Sequence, residues 1–176
     1  LGYNSKIAAV LGNGPSRKFY DPSKAYAYRL GCNIPWTDVD ATLISDDNIV
    51  VLWHKNHDLI KVPTYFSRKT WMFTDELKTF RPFIKQFKLF AGVFDRHPNE
   101  SSGNAAARKL IDLGYKELDI YGCDAYFTAT HGYNLKSYTR EFIPGIDMIN
   151  NSYKWKLFWD ELIKKHPEVK FNFIKE

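Results

Sequence analysis

Lys6-Ile7-Ala8-Ala9-Val10-Leu11-Gly12-Asn13-Gly14-Pro15-Ser16 carries the strongest architectural signal in the chain. A short apolar run ends abruptly in a glycine-rich turn, the pattern of a buried parallel strand. Gly12 and Gly14 flank Asn13 directly after that run. Backbone N–H groups there can turn toward an anion where a side chain would block the approach. The turn lacks the third glycine of a dinucleotide fingerprint and the Gly-Lys-Ser/Thr of a Walker loop. A plain strand-to-loop turn would use the same residues.

Working outward, the apolar pattern continues in short segments. Tyr28 to Asn33 and Ala41 to Asp46 read as the second and third strands, with Asp21 placed to cap a short helix through Ala27 between the first two. Ile49 to Trp53 follows so closely that strand and helix both fit. Thr70 to Phe73 reads as a short strand, Asp75 to Phe87 as partly helical around Pro82, and Lys88 to Phe94 as another strand. Ser101-Ser102-Gly103 opens a helix from Asn104 to Leu113, and Gly114 stops it. Glu117 to Gly122 is the next strand, followed by a polar loop from Asp124 to about Tyr138. Asn151 or Ser152 then caps a last helix with Trp155, Phe158, Trp159 and Leu162 on one face, and Val169 to Ile174 alternates like a closing edge strand. Such alternation predicts an α/β fold: one Rossmann-like open, mostly parallel sheet with flanking helices, over a single domain spanning 1–176.

Composition bounds the function. The chain has 176 residues, enough for one proper core and too few for two. Its net charge of +5 favours anionic ligands, yet the basic residues are scattered and do not specify nucleic acid. Cys32 and Cys123 stand far apart without metal-type spacing, which suggests buried thiols in a reducing compartment. No apolar run approaches a membrane span, so a cytoplasmic location is expected. Nothing in the sequence fixes an oligomeric state.

Two further segments carry chemistry. Ser101-Ser102-Gly103 offers hydroxyls and free N–H groups at the positive end of a helix dipole, though serine there also serves simply as a cap. Gly122-Cys123-Asp124-Ala125-Tyr126, with His131-Gly132-Tyr133 beyond it, leaves the carboxyl end of a strand, the edge where open α/β sheets bind ligands. A tyrosine hydroxyl can donate to a phosphate oxygen, and His131 can act as acid or base near neutral pH. Asp46 and Asp47 end another strand and suit a turn cap better than a metal or a ribose hydroxyl. His54 and His57 lack a third ligand, so no zinc site is expected.

Taken in order, Val10 to Ser16, Arg29-Leu30-Gly31-Cys32-Asn33, Ser101-Ser102-Gly103, Leu113-Gly114-Tyr115-Lys116-Glu117 and Tyr121-Gly122-Cys123-Asp124-Ala125-Tyr126 resemble the bacterial sialyltransferases of the Campylobacter type. They also resemble the related motility-accessory and lipopolysaccharide-associated proteins of sialyltransferase-like fold. The resemblance implies a cytidine monophosphate sugar as donor, a glycan as acceptor, and catalysis without a metal or other cofactor. It places Gly12, Asn13, Gly14, Asn33, Ser102, Gly103 and Asp124 at the nucleotide, with Ser45 where the family has a second asparagine. Tyr126 and Tyr133 match the tyrosines that assist the departing phosphate. The family's general-base histidine lies before the final helix, where residues 142–152 contain none; His131 or Asp147 would have to serve. The expected function is a metal-independent, glycosyltransferase-like transfer of a sugar from a nucleotide donor to a glycan. The alternative is a non-catalytic nucleotide-binding or interaction protein, of bacterial or phage origin, that has kept the fold and lost the base.

Overall fold

In the computed structural model, residues 6–126 and 146–175 are described, with backbone alone at 125 and 146–153. Seven strands form one sheet: β1 (Ile7–Leu11), β2 (Tyr28–Cys32), β3 (Ala41–Ile44), β4 (Thr64–Ser67), β5 (Phe90–Phe94), β6 (Glu117–Tyr121) and β7 (Lys170–Phe173). Their order is β5-β4-β3-β2-β1-β6-β7. Every neighbouring pair is parallel. This is the α/β, Rossmann-like open sheet expected, and wholly rather than mostly parallel.

The opening apolar run becomes β1, near the middle of the sheet, where Ala8, Ala9 and Val10 are fully buried. The chain winds outward from β1 to β5, then returns to lay β6 on the other side of β1. The winding therefore reverses between β1 and β6, which opens a crevice at their carboxyl ends.

Among the described residues, five helices flank the sheet: α1 (Asp47–Lys55), α2 (Arg68–Phe73), α3 (Glu76–Gln86), α4 (Ser102–Asp112) and α5 (Ile146–Lys165). Ala8, Val10, Leu30, Leu118 and Ile120 pack against α4 and α5 on one face, through Ala105, Ala106, Leu110, Trp159 and Leu162. The small alanines let α4 lie close over the sheet. On the other face, α1 and α3 cover β3 and β4 around Trp53, Phe66 and Phe80. Ala9, Leu11 and Tyr121 on that face lie instead under a loop carrying Tyr20 and Tyr26.

Several expectations change. Asp21 caps no helix, because its Oδ1 accepts from Ser23 N and Ser23 Oγ and closes a local turn. A short 3-10 helix, Pro15–Phe19, precedes it instead. The undecided segment after β3 is helical, as α1. Thr70 to Phe73 belongs to α2 rather than to a strand, since Ser67 Oγ accepts from Thr70 N and starts a helix there. The strand is the four residues before it. α5 begins at Ile146, ahead of the expected caps at Asn151 or Ser152. Most of the polar loop expected from Asp124 to Tyr138 lies outside the described residues.

Candidate functional site

The glycine turn follows β1 and meets the start of the loop after β6. Gly12 N donates to Tyr121 O at 2.8 Å and Gly14 N to Gly122 O at 2.8 Å. Ser16 N and Oγ both donate to Asp124 Oδ2, at 3.0 and 2.9 Å, and Gly122 N donates back to Ser16 Oγ at 2.8 Å. These donors are spent inside the protein. The glycines are there because two backbones nearly touch: a Cβ on Gly12 would stand 2.6 Å from Gly122 O, and one on Gly14 2.5 Å from Asp124 Oδ2.

Three successive strands end in a polar side chain with an unused oxygen. After β1, Asn13 Nδ2 donates to Cys32 O at 3.0 Å while its buried Oδ1 has no partner. After β2, Asn33 takes φ 61°, a conformation asparagine tolerates, and its Oδ1 is likewise unpartnered. After β3, the buried Ser45 Oγ has none either. A buried polar atom left unpaired costs about 1–3 kcal/mol. Three of them aligned on the ligand edge of the sheet therefore point to a function.

The space over this edge has two parts. The narrow part is lined by Gly12, Gly14, Gly103, Cys123, Asp124 and Tyr126, under Trp155 and Trp159, and holds about 20 Å³. Ser101 Oγ accepts from Asn104 N and caps α4, so Ser102 and Gly103 sit in its first turn, whose remaining N–H groups have no intrahelical acceptor. A Cβ on Gly103 would lie 2.4 Å from Cys123 Sγ and one on Gly12 3.1 Å from it, so the glycine turn and the start of α4 pack onto one thiol. Burial raises the pKa of that thiol, and it pushes Cys32 up to about 12. Neither is a ready nucleophile.

The wide part, about 670 Å³, lies over the ends of β3, β4 and β5. Ser45, Lys69, Arg96, His97 and Trp155 border it, and Trp155 borders the narrow part as well. Arg96 Nη1 donates to Asp46 Oδ1 at 3.0 Å, and Nε and Nη2 donate to Glu100 O. Asp46 is thus an ion-pair partner and makes no side-chain cap on α1. Asp47 Oδ1 accepts from Thr70 Oγ1 at 2.9 Å.

Tyr126 stands at the mouth, its ring stacked on Phe173 at 4.5 Å. Its hydroxyl donates to Asp160 Oδ1 at 2.9 Å, and burial followed by that bond raises its pKa. His131 and Tyr133 lie outside the described residues. Gly12, Gly14, Gly103, Asp124 and Tyr126 thus come together in one crevice and Ser45 lines the adjoining cleft, whereas Asn13, Asn33 and Ser102 line neither. Asp124 is held by Ser16 rather than facing a ligand with that oxygen. Among the described residues no group of three or more His, Cys, Asp or Glu could hold a metal ion. No described helix is long and apolar enough to cross a membrane.

Lys69, Arg96, His97 and Trp155 belong to no motif of the sequence. Arg96 and His97 follow β5 directly on the ligand edge, a signal that was available. Lys69 follows β4, whose sequence carries no strand pattern. Trp155 read as one more apolar position on a helix.

A wholly parallel sheet with a polar crevice at its winding reversal defines a Rossmann-like α/β protein, the type in which ligands bind outside the carboxyl ends of the strands. No family model matches the sequence, and no curated protein matches it. Solved structures do. The sialyltransferase CST-II in complex with trisaccharide acceptor and CMP matches with a TM-score of 0.52 at 17% identity, over 96% of this chain and 81% of that one. CstII from Campylobacter jejuni in complex with cytidine-5'-monophosphate, a substrate analogue, matches with a TM-score of 0.50 at 16% identity, over 96% and 79%. At such identity the likeness shows a shared sialyltransferase-like fold.

Proposed function

We propose that the protein binds a nucleotide sugar, a cytidine monophosphate sugar by its resemblance, and transfers the sugar to a glycan acceptor, as one domain over 1–176. The observation that carries this reading is the row of unpaired polar atoms on Asn13, Asn33 and Ser45. Ligand hydroxyl and phosphate groups would supply their missing partners. Ser102 and Gly103 present the helix end to the phosphate, and the basic cleft beyond holds the sugar. Tyr126 and Tyr133 donate to the departing phosphate oxygen as its charge develops. The acceptor oxygen bonds to the anomeric carbon, the bond from that carbon to the phosphate breaks, and His131 takes the acceptor proton. No metal enters the scheme.

A second reading rests on a specific observation. The narrow crevice is nearly filled, the backbone donors of Gly12 and Gly14 are committed, and Tyr126 already donates to Asp160. A protein that binds a nucleotide at this edge without transferring a sugar accounts for that equally.

Thermal shift with cytidine and uridine nucleotides tests the shared premise. Cytidine monophosphate should raise the melting temperature by an amount that grows with its concentration. Ser45→Ala removes a buried unpaired hydroxyl, so the free protein should be at least as stable while the nucleotide-induced shift shrinks. If no nucleotide stabilises the chain, both readings fall. Donor turnover with glycan acceptors separates them: release of cytidine monophosphate that disappears in His131→Ala supports transfer, and donors that stay intact support binding alone.

A further inference from the structure

A second depression lies outside the crevice, between α4 and α5, with a volume of about 360 Å³. That is within the range of small-molecule sites, about 300–1,000 Å³. Asn104 lines it, nearly fully buried, with its Nδ2 lacking any partner. Gly103 and Asn104 are adjacent in the first turn of α4, so one turn serves both spaces: Gly103 faces Cys123 in the crevice, and Asn104 lines the groove. His97 borders both the groove and the wide cleft, and its ring stacks on Phe158 with an interplanar angle of 12°.

The lining says what kind of ligand fits. Two fixed cations, Arg108 and Lys165, are balanced by two fixed anions, Asp112 and Glu161. Arg108 is moreover committed to the buried Glu100, with Nη2 at 3.0 Å from Glu100 Oε2. No surplus positive charge remains to select a phosphate or a carboxylate. Donors and acceptors line the groove together with the stacked His97 and Phe158 rings, which matches a ligand whose hydroxyls each donate and accept and whose ring presents an apolar side.

We propose that this groove is a binding site for a neutral saccharide, continuous through His97 with the cleft and holding the part of an acceptor glycan remote from the transfer. The assignment to an acceptor rests on the transferase reading; the saccharide site itself does not. Binding energy gained there would orient the acceptor without touching the reacting atoms.

Calorimetric titration of the full chain with lactose, cellobiose, chitobiose and maltotriose tests the site, alongside inorganic phosphate and N-acetylneuraminic acid. At least one neutral saccharide should bind, and Glu161→Ala and Phe158→Ala should each weaken it about tenfold, a loss of about 1.4 kcal/mol. Glu161 is exposed, so that variant should fold normally. No binding of any neutral saccharide, preference for the acidic probes, or binding that survives both substitutions would overturn the proposal. Cytidine monophosphate titrated into the same samples reports separately on the nucleotide premise. Saccharide binding without nucleotide binding would leave the groove standing and remove its role as an acceptor site.

Discussion

Gly122 meets the opening glycine turn at φ 69°, and a Cβ added there would lie 2.2 Å from Gly12 O. Gly114 also has a positive φ, of 100°, yet a Cβ there would meet nothing within 4 Å. The two positions separate backbone strain from collision. Gly114→Ala should cost only the conformational penalty, about 1–2 kcal/mol. Gly122→Ala should carry that penalty plus an overpacking cost of about 1–3 kcal/mol, and chemical denaturation of the two variants should show the difference. Gly12 and Gly14 stood out in the sequence as openings toward a ligand. The structure gives them a further reason, close approach to Gly122 and Asp124, which no local motif encodes because the partner lies more than a hundred residues along the chain.

The elements that the sequence disclosed are those whose pattern is complete within one segment. β1 is a continuous apolar run closed by glycine, and α4 has its cap at Ser101, its alanines and its stop at Gly114. β4 was hidden because Thr64 and Ser67 are polar at both ends of a four-residue strand, although both are buried. Its hydroxyls are satisfied by Val62 O and by Ser45 O and Thr70, contacts made only by the folded chain. The wall of the wide cleft was hidden for a related reason. Glu100, fully buried, accepts from His97 N and from Arg108 Nε and Nη2, and so braces the loop between β5 and α4 that carries Arg96 and His97. Glu100→Ala leaves Arg108 facing an empty site and should destabilise the protein by about 3 kcal/mol, read as a fall in melting temperature. The same change should loosen the cap at Ser101 and, on the proposed function, weaken nucleotide binding at the adjacent turn.

Across the whole molecule, one polar knot sits under the loop that covers β1 and β6. Asp119 accepts from Lys24 Nζ at 2.6 Å, Tyr26 Oη at 2.6 Å and Asn172 Nδ2 at 2.9 Å. Burial alone would raise the Asp119 carboxyl; the hydrogen bonds from Lys24, Tyr26 and Asn172 outweigh it and hold the carboxyl below its ordinary range. The bond to Asp119 raises Lys24. A depressed carboxylate stabilises fully above its unfolded pKa of about 3.9, and that stabilisation is lost as pH falls through the folded value. The raised Lys24 stabilises fully below its unfolded pKa of about 10.4 and loses this as pH climbs through the folded value. Stability should therefore be flat through neutrality and decline at both extremes. Asp119→Asn should flatten the acid limb, as urea denaturation at about pH 3 and at neutrality would show.

The position of β1 has a consequence for how such a chain is made. Its second neighbour, β6, and the Ser16–Asp124 clasp, 108 residues apart, do not exist until most of the chain has left the ribosome. Until then β1 is an uncovered apolar edge, open to wrong pairing. Completion of the sheet on this side of β1 should thus be a late event of folding, gated by closure of a long loop rather than by local helix formation.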